Sequence, residues 1–303
     1  MESIRTKEIY GEEWFKKRAI SSITRIDNTS WDYSDSILLY LPGHDETYEY
    51  VQSSENQYNE IVTSPEQKYL DGVASKITEI LPVDFDYVDL GPGTEHKEQY
   101  IFDELKKQGK HFNYHPVDIS ERYLEYSSNH AEVQGIKTSP IRSSFEDLPD
   151  KLSTTGRNRF VSLGLTYSNY NPSKILSLLK NIRGEKGNIF VNSQIRDRIN
   201  IDKLRSAYEE IVVDILVPKL KLLGLNIETD LSDIEITDEI KVWYSIKNLN
   251  EELEQKGVSL GDRILVVQSL RPTLNSLNDD ISKEFDDYEL LDTGESFVGV
   301  ITR

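Results

Sequence analysis

The stretch Tyr87-Val88-Asp89-Leu90-Gly91-Pro92-Gly93-Thr94, followed downstream by His115-Pro116-Val117-Asp118-Ile119-Ser120, decides how the rest of this chain is read. The first segment has the form of a short buried strand running into a glycine turn, and the second of a strand ending in a carboxylate. Gly91 and Gly93 permit turn dihedrals that a side chain would hinder, and the helix after them offers free amides at its N-terminus. Asp118, at the end of the next strand, stands where a carboxylate accepts both hydroxyls of a ribose. Together they predict a nucleotide-type cofactor site in an α/β sheet.

The turn also narrows the cofactor. A third glycine is absent, and Glu95, His96 and Lys97 follow, which puts an acid where a pyrophosphate would approach the helix N-terminus. No Gly-Lys-Ser/Thr sequence supplies a P-loop. A nucleoside cofactor without phosphate remains, and S-adenosylmethionine is the common one. Its ammonium would suit the carbonyls of the glycine turn, and its carboxylate Lys97 or nearby amides.

Outward from this pair, strand and helix alternate. Ser64-Pro65-Glu66 opens a helix with Leu70, Val73, Ile77 and Ile80 at three- and four-residue steps, closed by Pro82. After the glycine turn comes a helix with Tyr100, Ile101 and Leu105 facing inward, ended by Gly109, then a strand from Phe112 to Val117. A helix from Glu121 to His130, a short strand near Ile136 and the strand Arg159 to Gly164 continue the series. Asn171-Pro172 caps a helix carrying Ile175, Leu176, Leu179 and Ile182, Gly184 stops it, and Gly187 to Val191 forms the next strand. Such alternation predicts right-handed βαβ units and a parallel sheet.

The flanks read differently. Residues 1–63 are polar and aromatic, with Trp14, Phe15, Trp31, Tyr33, Tyr40, Tyr48, Tyr50 and Tyr58 and no evident strand ladder. They suit a lid or substrate wall, because tyrosine joins an apolar body to a hydrogen-bonding tip. A Pro42-Gly43 turn and a helix beginning between Thr47 and Gln52 are expected there. Beyond Asp197, a long helix with Leu204, Tyr208, Ile211, Val212 and Ile215 should kink or end at Pro218. Ile240 to Ile246 and Arg263 to Val267 alternate as antiparallel strands, with an acidic helix from Leu249 to Lys256 between them. A helix over Leu274 to Phe285 and a hairpin joined through Thr293-Gly294 end the chain.

Composition bounds the function. Lys+Arg 35 against Asp+Glu 53 gives a net charge of −18, which repels nucleic-acid phosphate and anionic membrane surfaces. With no cysteine there is no disulfide, thiolate nucleophile or cysteine-ligated metal, and a reducing, cytoplasmic location is expected. Met1-Glu2-Ser3-Ile4-Arg5 lacks an apolar signal region, and no stretch has the length of a membrane span. The five histidines, His44, His96, His111, His115 and His130, form no ligand-spaced pair, so no metal site is expected.

The matched segments become specific when taken in order. Leu90-Gly91-Pro92-Gly93-Thr94 with Lys97, Pro116 to Ser120, Ser144-Phe145-Glu146-Asp147-Leu148, Leu163 to Pro172, and Leu204 to Glu210 follow one another as in the histidine-specific methyltransferase family. The chain resembles that family over most of its length, most strongly between Tyr87 and Tyr208. The resemblance implies a Rossmann-like class I methyltransferase sheet with an inserted α+β substrate subdomain. The expected segments are 1–63 on the substrate side, 64–197 as the cofactor core, 198–270 as the insertion, and 271–303 completing the core.

It also implies roles. Gly91, Gly93, Thr94, Lys97, Asp118 and Gly164 would hold S-adenosylmethionine, with Ser144-Phe145 at the adenine where the family usually has Asp-Phe. Asn169 and Tyr208 match positions that grip the substrate's α-amino and carboxylate groups, and Tyr40 and Tyr58 correspond to the family's N-terminal tyrosines. The family reads imidazole through an acid and a hydroxyl late in the insertion. Ile264-Leu265-Val266-Val267-Gln268-Ser269-Leu270 offers no carboxylate there, so a neutral polar side chain read by Gln268 or Ser269 is expected in place of histidine. The expected activity is N-methylation of an amino acid or related small amine. O-methyl transfer, aminocarboxypropyl transfer and a non-catalytic cofactor-binding role stay open, as does the oligomeric state.

Overall fold

The computed structural model describes residues 10–41, 49–51, 53, 55–152, 157–225 and 232–303. The Pro42-Gly43 turn, the helix start at Thr47 and His44 lie outside these residues, as do Met1 to Arg5.

Along the chain, helix α1 spans Glu12–Ser22, and the short strands β1 (Thr24–Arg25) and β2 (Ser30–Asp32) follow. Helix α2 covers Ser64–Glu79, β3 Asp84–Leu90, α3 Glu98–Lys107, β4 His111–Asp118 and α4 Glu121–Val133. Next come β5 (Lys137–Thr138), β6 (Ile141–Arg142), β7 (Arg159–Leu163), α5 (Pro172–Arg183) and β8 (Gly187–Gln194). The remainder is α6 (Ile201–Leu222), β9 (Ser232–Ile236), β10 (Glu239–Ser245), α7 (Glu251–Gln255), β11 (Arg263–Leu270), α8 (Leu274–Glu284), β12 (Tyr288–Asp292) and β13 (Phe297–Thr302).

The chain divides into two compact units, one of residues Val62–Ile199 with Arg271–Arg303, the other of residues up to Ile61 with Asn200–Leu270. The first contains an eight-stranded sheet in the order β12-β13-β8-β7-β3-β4-β5, with β6 also pairing β4. Strands β8, β7, β3, β4 and β5 run parallel, and the terminal hairpin adds β13 antiparallel to β8. The chain winds outward from β3 through β4, then crosses back to β7. That reversal makes the carboxyl ends of β3 and β7 the crevice where ligands of such Rossmann-like sheets sit.

Local chemistry explains the helices that cover this sheet. In α5, the Asn171 side chain accepts from Lys174 N at 3.2 Å, Pro172 occupies the first turn, and Ile175, Leu176, Leu179 and Ile182 are buried. Each such burial contributes about 1.5–3 kcal/mol. In α3 the inward set is Ile101, Phe102 and Leu105; Tyr100 is only half-buried. Phe102 takes the interior place because it meets Tyr87, Phe112 and Tyr114 ring to ring across β3 and β4.

The second unit departs further from the sequence reading. Its five-stranded sheet has the order β1-β2-β11-β10-β9. Residues 1–63, in which no ladder was expected, thus supply a hairpin, and β2 pairs parallel with β11 through Ser30–Arg263, Trp31–Ile264 and Asp32–Leu265. Strands of two and three residues carry no alternation to read, and their partner lies far along the chain. Strand β9 was not expected either; it pairs antiparallel with β10.

Helix α6 continues through Pro218 to Leu222 without ending there. The lost backbone bond is offset by tertiary contacts in its last turns, where Leu216 and Leu220 are buried and Lys219 Nζ donates to Asp35 O at 3.0 Å and Val266 O at 2.7 Å. Among the described residues, no helix is long and apolar enough to cross a membrane.

Candidate active site

The glycine turn leaves β3 with Gly91 at φ 65° and Gly93 at φ 67°, left-handed conformations that favour glycine. Gly91 N donates to Val117 O at 2.9 Å, which ties the turn to the end of β4. A Cβ placed on Gly91 would lie 3.5 Å from the Phe145 ring and 3.6 Å from Thr166 Oγ1. Three loops therefore converge on this turn: its own, the one after β6, and the one after β7. Asp118 ends β4 with its carboxylate largely buried, Oδ1 accepting from Ser120 N at 2.8 Å. Ser144 Oγ accepts from Asp147 N at 3.3 Å, and the Phe145 ring lies 6.1 Å from that of Tyr170.

Gly164 starts the 3-10 turn Leu165–Asn169 that leaves β7, and Asn169 closes it half-buried. The side chain organising this region is one the sequence reading passed over. Glu66, buried in the first turn of α2, accepts from Leu165 N at 3.1 Å and Asn192 Nδ2 at 3.0 Å through Oε1, and from Lys97 Nζ at 2.7 Å through Oε2. A Cβ on Gly164 would come within 3.2 Å of the same Oε1. Thr63 and Glu66 have the spacing of a capping box, which would turn Glu66 back on its own helix. Thr63 makes no side-chain cap bond, and Glu66 reaches across to β7 and β8 instead.

Lys97, expected at the cofactor's carboxylate, is held between Glu66 and Glu95, the latter at 3.0 Å. Burial alone would lower its pKa, but the two carboxylates raise it above the ordinary lysine value and keep it charged. Glu95 folds over the turn, its Oε2 lying 3.5 Å from the position of a Cβ on Gly93. Beneath the turn, Asp89 accepts from Tyr114 Oη at 2.8 Å and from Ser162 Oγ. Burial, reinforced by Glu98, pushes the Asp89 carboxyl up to about 7.

The second unit holds the remaining candidates. Tyr58 and Tyr208 are buried together, their rings edge to face at 5.9 Å. Tyr40 caps the 3-10 turn Ser36–Leu39, donating its backbone N–H to Ile37 O at 3.1 Å. Gln268 is half-buried on β11, with Ser34 Oγ 3.5 Å from its Oε1, and Ser269 beside it is buried. Tyr40 and Gln268 lie on different elements from the tyrosine pair. His96 and His130, which form no ligand-spaced pair in the sequence, stack at 3.9 Å. A left-handed turn at His96 and the packing of α3 against α4 bring them together, neither of which sequence spacing reveals.

Compared with known families, residues 46–211, more than half of the chain, match the family described as histidine-specific methyltransferase, SAM-dependent. The chain belongs to that family. It is a methyltransferase that uses S-adenosylmethionine, and its sheet is Rossmann-like.

Among solved structures, an S-adenosylmethionine-dependent methyltransferase from Clostridium acetobutylicum ATCC 824 is similar at 12% identity and TM-score 0.43, covering 85% of this chain and 98% of its own. The DhpI–SAH complex is similar at 8% identity and TM-score 0.46, covering 88% and 96%. The plantazolicin methyltransferase BpumL in complex with SAH is similar at 14% identity and TM-score 0.39, covering 88% and 99%. No curated protein shows significant sequence similarity to the chain.

The residues at the turn fit the family's cofactor. Among the described residues, buried Glu95 Oε1 has no hydrogen-bond donor. An acceptor there suits an ammonium and disfavours a phosphate.

Proposed function

We propose that this methyltransferase moves the methyl group of S-adenosylmethionine to the amino nitrogen of an amino acid or related small amine other than histidine. The observation that carries the reading is Asn169, half-buried at the end of the turn leaving β7, beside the sheet's crossover crevice. Its amide accepts from an amine through Oδ1 and donates to a carboxylate through Nδ2, the two groups every α-amino acid presents. The lack of a carboxylate between Ile264 and Leu270 supports exclusion of histidine, and Gln268 would meet a neutral polar group instead.

On the cofactor side, Asp118 accepts from the ribose hydroxyls and Phe145 with Ser144 packs the adenine. The backbone of Gly91, Gly93, Thr94 and Gly164 lines the chain of the methionine moiety. Glu95 takes its ammonium, and Lys97, with two of three N–H directions used by Glu66 and Glu95, offers the third to its carboxylate. The bound cofactor supplies an activated methyl on sulfonium. Asn169 would hold the neutral amine with its lone pair toward the methyl carbon, and Tyr208, Tyr58 and Tyr40 are the substrate-binding tyrosines that the family resemblance implies. With the cofactor bound, the N–C bond would form as the C–S bond breaks, leaving the electron pair on sulfur in S-adenosylhomocysteine, and the product nitrogen would shed its extra proton to solvent. Positioning supplies most of the acceleration. We place the reaction in the cytoplasm, a reading supported by the absence of cysteine.

Turnover on a pooled amine library, with both products identified by mass spectrometry, tests this reading. N-methylated amine with S-adenosylhomocysteine is expected; an O-methyl or aminocarboxypropyl product overturns it. Asn169→Ala should bind S-adenosylmethionine within about threefold of the parent while losing at least 100-fold in turnover, the scale of a lost positioning contact. Retained turnover would remove Asn169 from the substrate site.

A further inference from the structure

Three side chains beside the glycine turn form a group that methyl transfer does not use. His96 sits in the loop between Gly93 and α3, Glu98 in the first turn of α3, and His130 in the last turn of α4. One ligand atom from each lies within 4.8 Å of the others. The imidazoles stack with centroids 3.9 Å apart and planes inclined by 17°. His96 Nδ1 is 3.5 Å from Glu98 Oε1.

Two further observations point to a ligand. Among the described residues, Glu98 Oε1 has no hydrogen-bond donor, although the side chain is 2% exposed. A buried carboxylate oxygen without a donor is costly unless a cation meets it. His96 is also the one described residue other than glycine with positive φ, 51°. That conformation costs about 1 kcal/mol or more, and such strain gathers where a side chain must be aimed. The His130 ring is held at Nε2, which either donates to Gln99 Oε1 at 2.7 Å or, in the other tautomer, accepts from Gln134 Nε2 at 2.9 Å.

We propose that His96, Glu98 and His130 form a binding site for a divalent transition metal of the Zn²⁺ class. Two imidazoles and one carboxylate suit Zn²⁺, Co²⁺ or Ni²⁺, whereas Ca²⁺ and Mg²⁺ favour all-oxygen shells. Three protein ligands leave a fourth tetrahedral position for water, and the His96 side chain, 35% exposed, gives the ion a way in. Bonds of about 2.1 Å set ligand spacings of roughly 3.4 Å, against the 4.8 Å within which the three atoms lie, so binding requires the imidazoles to turn out of their stack. A metal there would pin the loop after Gly93 to α4, beside Glu95 and Lys97. The inference is independent of which acceptor the enzyme methylates.

The test uses the untagged full-length protein, freed of metal by chelation and titrated with Zn²⁺ by calorimetry and with Co²⁺ by visible absorption. One saturable equivalent is expected, with the d–d bands of a four-coordinate cobalt centre. His96→Ala, on the loop, and His130→Ala should each weaken binding at least tenfold, while His111→Ala, exposed on β4, should leave it unchanged. Circular dichroism confirms that each variant is folded; should His130→Ala not fold, His96→Ala alone decides. Absence of a saturable equivalent, or unchanged affinity in His96→Ala, overturns the proposal and leaves a His96–Glu98 ion pair.

Discussion

The two units of this methyltransferase are built on opposite plans. In the unit of residues 62–199 and 271–303, parallel strands β8, β7, β3 and β4 are joined in sequence by helices of three turns or so, and each element carries its own periodic signal. In the other unit the sheet forms by pairing Ser30–Asp32 with Arg263–Leu270, segments at opposite ends of the chain. The first plan suits a cofactor site, since one crossover crevice gathers the loops after β3, β4 and β7. The second joins segments far apart in sequence into one sheet, so its strands depend on each other rather than on local signals.

The contrast can be broken most forcefully at Gly187. It starts β8 at φ 139°, and a Cβ there would sit 2.0 Å from Arg159 O on the paired strand β7. Gly187→Ala should cost about 3–5 kcal/mol, from overpacking and backbone strain together, read by chemical denaturation. A loss below about 1 kcal/mol would mean that the parallel register tolerates change there. Asp118→Ala tests the site that this sheet builds. It should weaken S-adenosylmethionine binding about 100-fold, the effect of losing two charge-assisted bonds, with stability little altered. Unchanged affinity by calorimetry would take the ribose contact away from Asp118.

The second unit should respond more gently. Trp31 on β2 donates from Nε1 to Asp262 Oδ2 at 2.8 Å, and Asp262 keeps a second donor in Ser259 N at 2.9 Å. Trp31→Phe should therefore cost about 1–2 kcal/mol with cofactor affinity unchanged. A loss as large as that of Gly187→Ala would erase the contrast.

Taken per pH unit, the smallest effect is that of pH. Burial lowers Lys219 to about 7, against the opposing pull of Asp35 and Asp32. Because the folded value lies below that of an unfolded lysine, the unfolded chain holds a proton that the folded chain has lost between about pH 7 and 10.4. Raising the pH through that window should stabilise the protein by up to about 1 kcal/mol per unit through this group. Below pH 7 both states are protonated and the term is flat. Lys219→Met should remove that slope; equal slopes in denaturation midpoints for parent and variant would assign the titration elsewhere.

How much was legible follows the same division. Asn171 capping α5, Gly184 ending it, and the apolar set from Ile175 to Ile182 are local signals, and the structure follows them. Tyr58 and Tyr208 entered through family resemblance, and only the fold shows their rings in contact. Glu66 was missed because its partners Lys97, Leu165 and Asn192 come from three other elements. The stacking of His96 on His130 was not legible because a contact between a loop and a helix leaves no trace in spacing.

By itself the sequence determined the cofactor fold: glycine at Gly91 and Gly93, a carboxylate at Asp118, and periodic apolar residues act within a turn or a strand, over distances that chain connectivity controls. Tertiary structure decided what neighbours those residues meet. It set Lys97 between two buried acids, carried α6 through Pro218, joined β2 to β11, and faced Glu98 with two imidazoles. Those outcomes depend on burial and on contacts between distant segments, which raise the cost of an unpaired charge or bond far above any local propensity.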